Sequence, residues 1–188
     1  MNWNLVRLSD VAPVPWRNGG GVTRELAVSS ARDDWHWRMS VAEVDASGPF
    51  SRFEGIDRWF AVLEGAGVLL DVQGDTHQIT HSSAPFYFDG GALTHCTLLD
   101  GRTQDFNLMV RRGSAPARML RIHAPTNFVL TAPKIIAIYS IAMPARVQFG
   151  TEHLALAAGS LVWRQASAGT TVAVTAEDAL WMEIEPCP

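Results

Sequence analysis

Between Gly55 and Arg112 the chain reads as short apolar runs, RWFAVL, GVLLDV, HQIT, PFYF, HCTLL and DFNLMV, cut every few residues by Gly, Asp or Pro. β-type segments at this spacing, separated by turn residues, fold as an all-β sandwich or barrel. No stretch before Arg112 sustains the 3.6-residue period and the caps of a helix. A small barrel encloses a pocket, so polar residues at inward strand positions become the functional candidates.

The residues ahead of this stretch suit the same architecture. Residues 1–12 alternate weakly, as an edge strand does. Pro13 and Pro15 hold an extended approach to Trp16. Asn18-Gly19-Gly20-Gly21 then demands a sharp turn or a close approach of backbone. In WHWRMSVAEV, Trp35, Trp37, Met39, Val41 and Glu43 share one face, and His36, Arg38, Ser40, Ala42 and Val44 the other. One face is large and apolar, the other small or polar, so each expects its own surroundings. Residues 113–134 change composition, with three prolines and scattered charge, and suit a helix or connector between two halves.

Laying the halves over each other at a shift of 76 puts Gly74 on Gly150, His77 on His153 and Tyr87 on Trp163. FAVLEGAGVLLDVQGDTHQI then matches IAIYSIAMPARVQFGTEHLA, and DFNLMV falls near LWMEIE. Agreement of the apolar pattern over such a length points to a duplicated β-module. The expected organisation is an N-terminal barrel with the site over 1–115 and a mainly structural module over 116–188.

Composition narrows the function. With 47% hydrophobic and 18% charged residues, the chain can fill a packed interior. Nineteen acidic against fifteen basic residues, without a basic cluster, exclude a nucleic-acid footprint. Neither a signal-length apolar run near the start nor any run of membrane-spanning length occurs, so a cytoplasmic location without a membrane partner is expected. Cys96 and Cys187 lack any Cys-x-x-Cys spacing and read as reduced thiols.

The six histidines are dispersed, and His77 and His81 lie too far apart along a strand to converge on one ion. No metal site and no cofactor is therefore expected. Nor is there a nucleophile elbow, and His95 and Cys96, as strand neighbours, point to opposite faces. What remains is recognition of a small carboxylate or amide metabolite. Arg38 or Arg58 would clamp the anion, because a buried guanidinium needs a carboxylate from the protein or from a ligand. Asn18 and Asn107 would supply directional hydrogen bonds, and Asp89 or Asp105 would steady the arginines. Each has a plainer reading: Asp89 as a turn residue before Gly90-Gly91, Asp105 and Asn107 on a half-exposed strand, the arginines in internal ion pairs. Two further readings stay open. One is an enzyme using Asp105, Glu25 or His95 for proton transfer. The other is an interaction protein forming a homodimer through β-edges and its seven tryptophans.

PWRNGGGVTREL, WHWRMSVAEV with GPFSRFEGIDR, the FDGG segment and DFNLMVRR, in this order, resemble the HutD/Ves family of bacterial cupin-type proteins. The resemblance covers roughly residues 2–184. It implies a double-stranded β-helix (cupin) fold, as a bicupin of two β-barrel modules, in agreement with the repeat. It also implies an accessory or regulatory role connected in some members with histidine utilisation, with an acidic intermediate such as N-formylglutamate as ligand. Other cupins bind metal through a GxxxxxHxHxxxxE pattern, whereas GAGVLLDVQGDTHQI has no HxH.

Overall fold

Period-two alternation builds strands along the whole chain. The computed structural model, which describes residues 2–30, 34–114 and 116–185, is regular only as strand apart from a short 3-10 turn at Leu8–Asp10. The all-β expectation is met. No helix among the described residues is long and apolar enough to cross a membrane. Cys187 lies outside the described residues.

Two compact units divide the chain, one made of residues 11–113 and the other of residues 1–10 with 114–188. In the first, a six-stranded antiparallel sheet runs Val14–Pro15 (β2), Gly21–Val28 (β3), Trp37–Val44 (β4), Thr103–Arg111 (β11), Ile56–Glu64 (β6) and Phe86–Asp89 (β9). A four-stranded sheet, Gly48–Pro49 (β5), Thr94–Leu98 (β10), Val68–Val72 (β7) and Asp75–Ile79 (β8), completes it. Inward residues of both sheets, among them Val44, Phe60, Val62, Val68, Leu70 and Cys96, form one buried core.

The other unit repeats this plan. Asn4–Arg7 (β1), Ser160–Ala166 (β17), Lys134–Ser140 (β14), Ala179–Ile184 (β19) and Ala117–Ile122 (β12) make its larger sheet. Thr126–Val129 (β13), Thr171–Thr175 (β18), Ala145–Phe149 (β15) and Glu152–Leu156 (β16) make the smaller one. Its order β13-β18-β15-β16 is that of β5-β10-β7-β8, and β12-β19-β14-β17 follows β4-β11-β6-β9. Phe60 and Val62 of β6 enter one core where Ile136 and Ile138 of β14 enter the other, at the same shift of 76 that the repeat shows.

Two expectations are revised. The N-terminal strand does lie at a sheet edge, but β1 pairs with β17, so residues 1–10 sort with the C-terminal half rather than with a 1–115 module. The described residues among 113–134 are not helical. They carry β12 and β13, with Pro116, Pro125 and Pro133 falling just outside the strands, where a missing N–H breaks no ladder. Pairing with β19, from Ala117 opposite Ile184 to Ile122 opposite Ala179, makes the first of these a strand.

Candidate functional site

The alternation in β4 and β11 aims one face of the six-stranded sheet into the first unit. Ser40 pairs with Asn107, Ala42 with Asp105 and Arg38 with Met109. β6 adds Arg58 beside Met109 and Phe60 beside Asn107. The opposite faces, with Trp37, Met39, Phe106 and Leu108, are buried as well, so β4 and β11 are not half-exposed strands. The polar row is therefore the interior of the unit.

A cavity of about 660 Å³ opens over this row. Arg38, Ser40, Arg58 and Asn107 form its strand wall, Trp16, Asn18, Phe50 and Phe53 its aromatic and loop wall, and Glu25 is the one carboxylate among the described residues that line it. That volume suits a small metabolite held by a few polar groups.

The turn carrying Trp16 and Asn18 is the Gly-rich segment. Trp16 N–H donates to Gly21 O at 2.9 Å, Gly19 N–H to Trp16 O at 3.0 Å, and Gly20 N–H to Asn18 Oδ1 at 3.1 Å. Trp16 Nε1 donates to Thr23 Oγ1 at 2.7 Å, which fixes the indole against the cavity. Gly21 is required by closeness: a Cβ there would sit 2.2 Å from Glu43 O. Gly21→Ala is expected to cost about 1–3 kcal/mol through the shift of β3 on β4. A urea midpoint equal to that of the parent would contradict this.

Arg58 is 6% exposed and lies between two rings, its Cζ 4.9 Å from the Phe50 centroid and 5.2 Å from that of Phe88. Its Nε and Nη2 donate to Asn107 Oδ1 at 2.9 and 2.7 Å. Asn107 Nδ2 donates in turn to Asp105 Oδ1 at 2.6 Å. The amide thus stands between cation and carboxylate. Among the described residues no carboxylate lies within ion-pair distance of Arg58, and Asp105 Oδ2 has no hydrogen-bond donor. Burial pushes the guanidinium down to about 10, against the opposing pull of Asp105. Burial likewise pushes Asp105 up to about 7, with Arg58 and Asn107 acting the other way. Cys96 is a buried free thiol pushed up to about 12, mainly by burial.

Of the residues singled out from sequence, Asn18, Arg38, Arg58 and Asn107 line one cavity. Arg38 Nε stands 2.8 Å from Glu25 Oε2, an ion pair whose N–H is not aimed at the oxygen. Asp105 stands behind Asn107 rather than on the wall. Asp89 is elsewhere and steadies neither Arg38 nor Arg58. At the end of β9 its Oδ1 accepts from Gly91 N–H at 2.8 Å and pairs with Arg112 Nη2 at 2.8 Å, as an Asp-Gly-Gly turn dictates. His95 is exposed while Cys96 is buried, so the two do face apart. Phe50 and Phe88 flank the Arg58 guanidinium, and no local signal in the sequence marks them for it.

A metal of the kind other cupins hold does not fit this wall. Three guanidiniums, of Arg17, Arg38 and Arg58, and two amides line it beside a carboxylate already paired with Arg38, a set that repels a divalent cation, and among the described residues no imidazole lines the cavity. Among the described residues no group of three or more His, Cys, Asp or Glu could hold one.

Comparison with known proteins agrees with this architecture. The chain is 39% identical over 107 residues to an uncharacterized 21.2 kDa protein in the hutC 3' region of Pseudomonas putida, a match covering 56% of each chain. It is 38% identical over 116 residues to protein Ves of Citrobacter koseri, covering 58% of this chain and 60% of that one. The matches thus span less than two thirds of these curated relatives. Among solved structures, HutD from Pseudomonas fluorescens SBW25, described for a formate condition, superposes over the whole of both chains with a TM-score of 0.85 at 28% identity. Bacillus subtilis oxalate decarboxylase, at 9% identity and a TM-score of 0.63 over 97% of this chain and 77% of its own, shares the cupin fold alone. The HutD family model matches from residue 8 to residue 182, nearly end to end, and the chain belongs to the HutD family.

Proposed function

We propose that the first unit binds a small carboxylate or amide metabolite, and that the protein acts as an accessory or regulatory binder rather than through turnover. The observation that carries this reading is the pairing of Arg58. Its Nε and Nη2 are spent on a neutral amide, while the side chain lines a cavity and has no carboxylate of its own. A buried cation without a direct counterion is costly, and an anionic ligand offsets that cost.

The duplicated unit supports the same reading. Ile136 pairs with Glu183 as Phe60 pairs with Asn107, so Glu183 holds the place of Asn107 and Lys134 that of Arg58. There the carboxylate is built in: Lys134 Nζ donates to Glu183 Oε2 at 2.6 Å. In the first unit an amide stands where the second has its carboxylate, which leaves the anion to come from outside.

An acidic intermediate of histidine degradation such as N-formylglutamate combines two carboxylates with an amide, and the HutD relationship favours it. Thermal-shift and calorimetric titration with formate, glutarate and N-formylglutamate tests the proposal. Arg58→Ala is expected to weaken binding by about 1.5–3 kcal/mol, the scale of a lost charge-assisted hydrogen bond. Equal responses by variant and parent would remove Arg58 from the role.

A further inference from the structure

Behind the wall, Asp105 has a feature that carboxylate binding alone does not use. It is 1% exposed, one oxygen accepts a single bond from a neutral amide, and the other has no donor among the described residues. A carboxylate held so poorly is stabilised mainly by the charge of Arg58, one amide away. Any anion that settles on Arg58 cancels that charge. We propose that ligand binding draws one proton from solvent onto the Asp105 carboxylate, so that the pocket is a proton-linked anion receptor.

The surroundings isolate this one titration. Arg58 on β6 is the charged group acting on Asp105, Arg38 on β4 acts on Arg58, and the Cys96 thiol on β10 stays protonated at neutral pH because burial pushes it up. Asp105 itself, raised by burial to about 7, changes charge in the neutral range before any ligand arrives. Below that value Asp105 is neutral, Arg58 is uncompensated and the anion binds tightly. As pH rises through it the ionised Asp105 competes for the field of Arg58 and affinity falls. Linkage sets the ceiling for one proton at about tenfold in affinity per pH unit.

This inference rests on the carboxylate-binding reading, and one set of measurements separates the two. Formate, ionised throughout the range, is titrated into the intact protein by calorimetry at pH 6 to 8.5, in buffers of different ionisation enthalpy. Selective 13C labelling of aspartate follows the Asp105 carboxyl with and without formate. Proton uptake near pH 8, several-fold weaker binding at pH 8.5 than at pH 6.5, and an upward shift of the Asp105 titration are expected. In Asp105→Asn binding persists with neither proton uptake nor pH slope. Formate binding without proton uptake, with an unmoved Asp105, overturns the proton link and leaves the binding reading intact. No formate response at any pH overturns both.

Discussion

Glu183→Ala is expected to destabilise the protein by about 3–5 kcal/mol, the range for breaking a buried ion pair from one side. Glu183 is 2% exposed and accepts from Lys134 Nζ at 2.6 Å, from Trp181 Nε1 at 2.9 Å and from the Arg118 guanidinium. Arg118 is half exposed and can turn to water. Lys134 is mostly covered and is left with the longer pair to Glu185 at 3.8 Å, and the fully buried Trp181 loses the acceptor of its indole N–H. Phe128 stacks on Trp181 with centroids 3.9 Å apart, which leaves the indole little room to reorient.

The pH dependence has a definite sign. Burial alone would raise the Glu183 carboxyl, but Arg118, Lys134 and Trp181 outweigh it and hold the group below its ordinary 4.5. Stability from this carboxylate is therefore present above that value and lost as pH falls through the lower folded one. Urea denaturation from pH 7 to pH 3 should show a large gap between parent and variant that narrows in acid. A gap that is absent, or that widens in acid, would contradict this account.

Much of the fold was written in local pattern, because strands declare themselves by alternation and turns by Gly, Pro and Asp. The shift of 76 is the clearest case: Phe60 and Ile136, and Asn107 and Glu183, hold equivalent strand positions in their own units, since cores repeat where inward positions repeat. Alternation also grouped Asp105, Asn107 and Met109 on one face, and that face is the interior. Partnership was another matter. Nothing near Asp89 tells that its carboxylate meets Arg112, and nothing near Asn4 tells that its strand joins β17, because such pairings depend on chain returning from far away. Nor does alternation reveal that the second face of β11, with Phe106 and Leu108, is buried too.

Asn107→Asp is expected to abolish carboxylate binding by more than about a hundredfold, although it changes a single atom group deep in the wall. The acceptor that Nε and Nη2 of Arg58 now share is a neutral amide oxygen at 2.9 and 2.7 Å. A carboxylate in its place makes the same two contacts charge-assisted, and these are roughly twice as strong as neutral ones. It is also tethered at hydrogen-bond distance, so its effective concentration exceeds that of any dissolved anion. Two carboxyls so close cannot both ionise at neutral pH. Asp105, the more deeply placed and already raised to about 7, takes the proton and donates it to its new neighbour in place of the bond it now receives from Asn107. The first unit would then carry its own anion, as the second does through Glu183 and Lys134. Calorimetry with formate and N-formylglutamate reads the loss, and an unchanged melting transition shows that the variant is folded. Should the variant bind either acid as the parent does, Arg58 does not receive the ligand carboxylate, and the exchange of amide for carboxylate between the two units has no functional meaning.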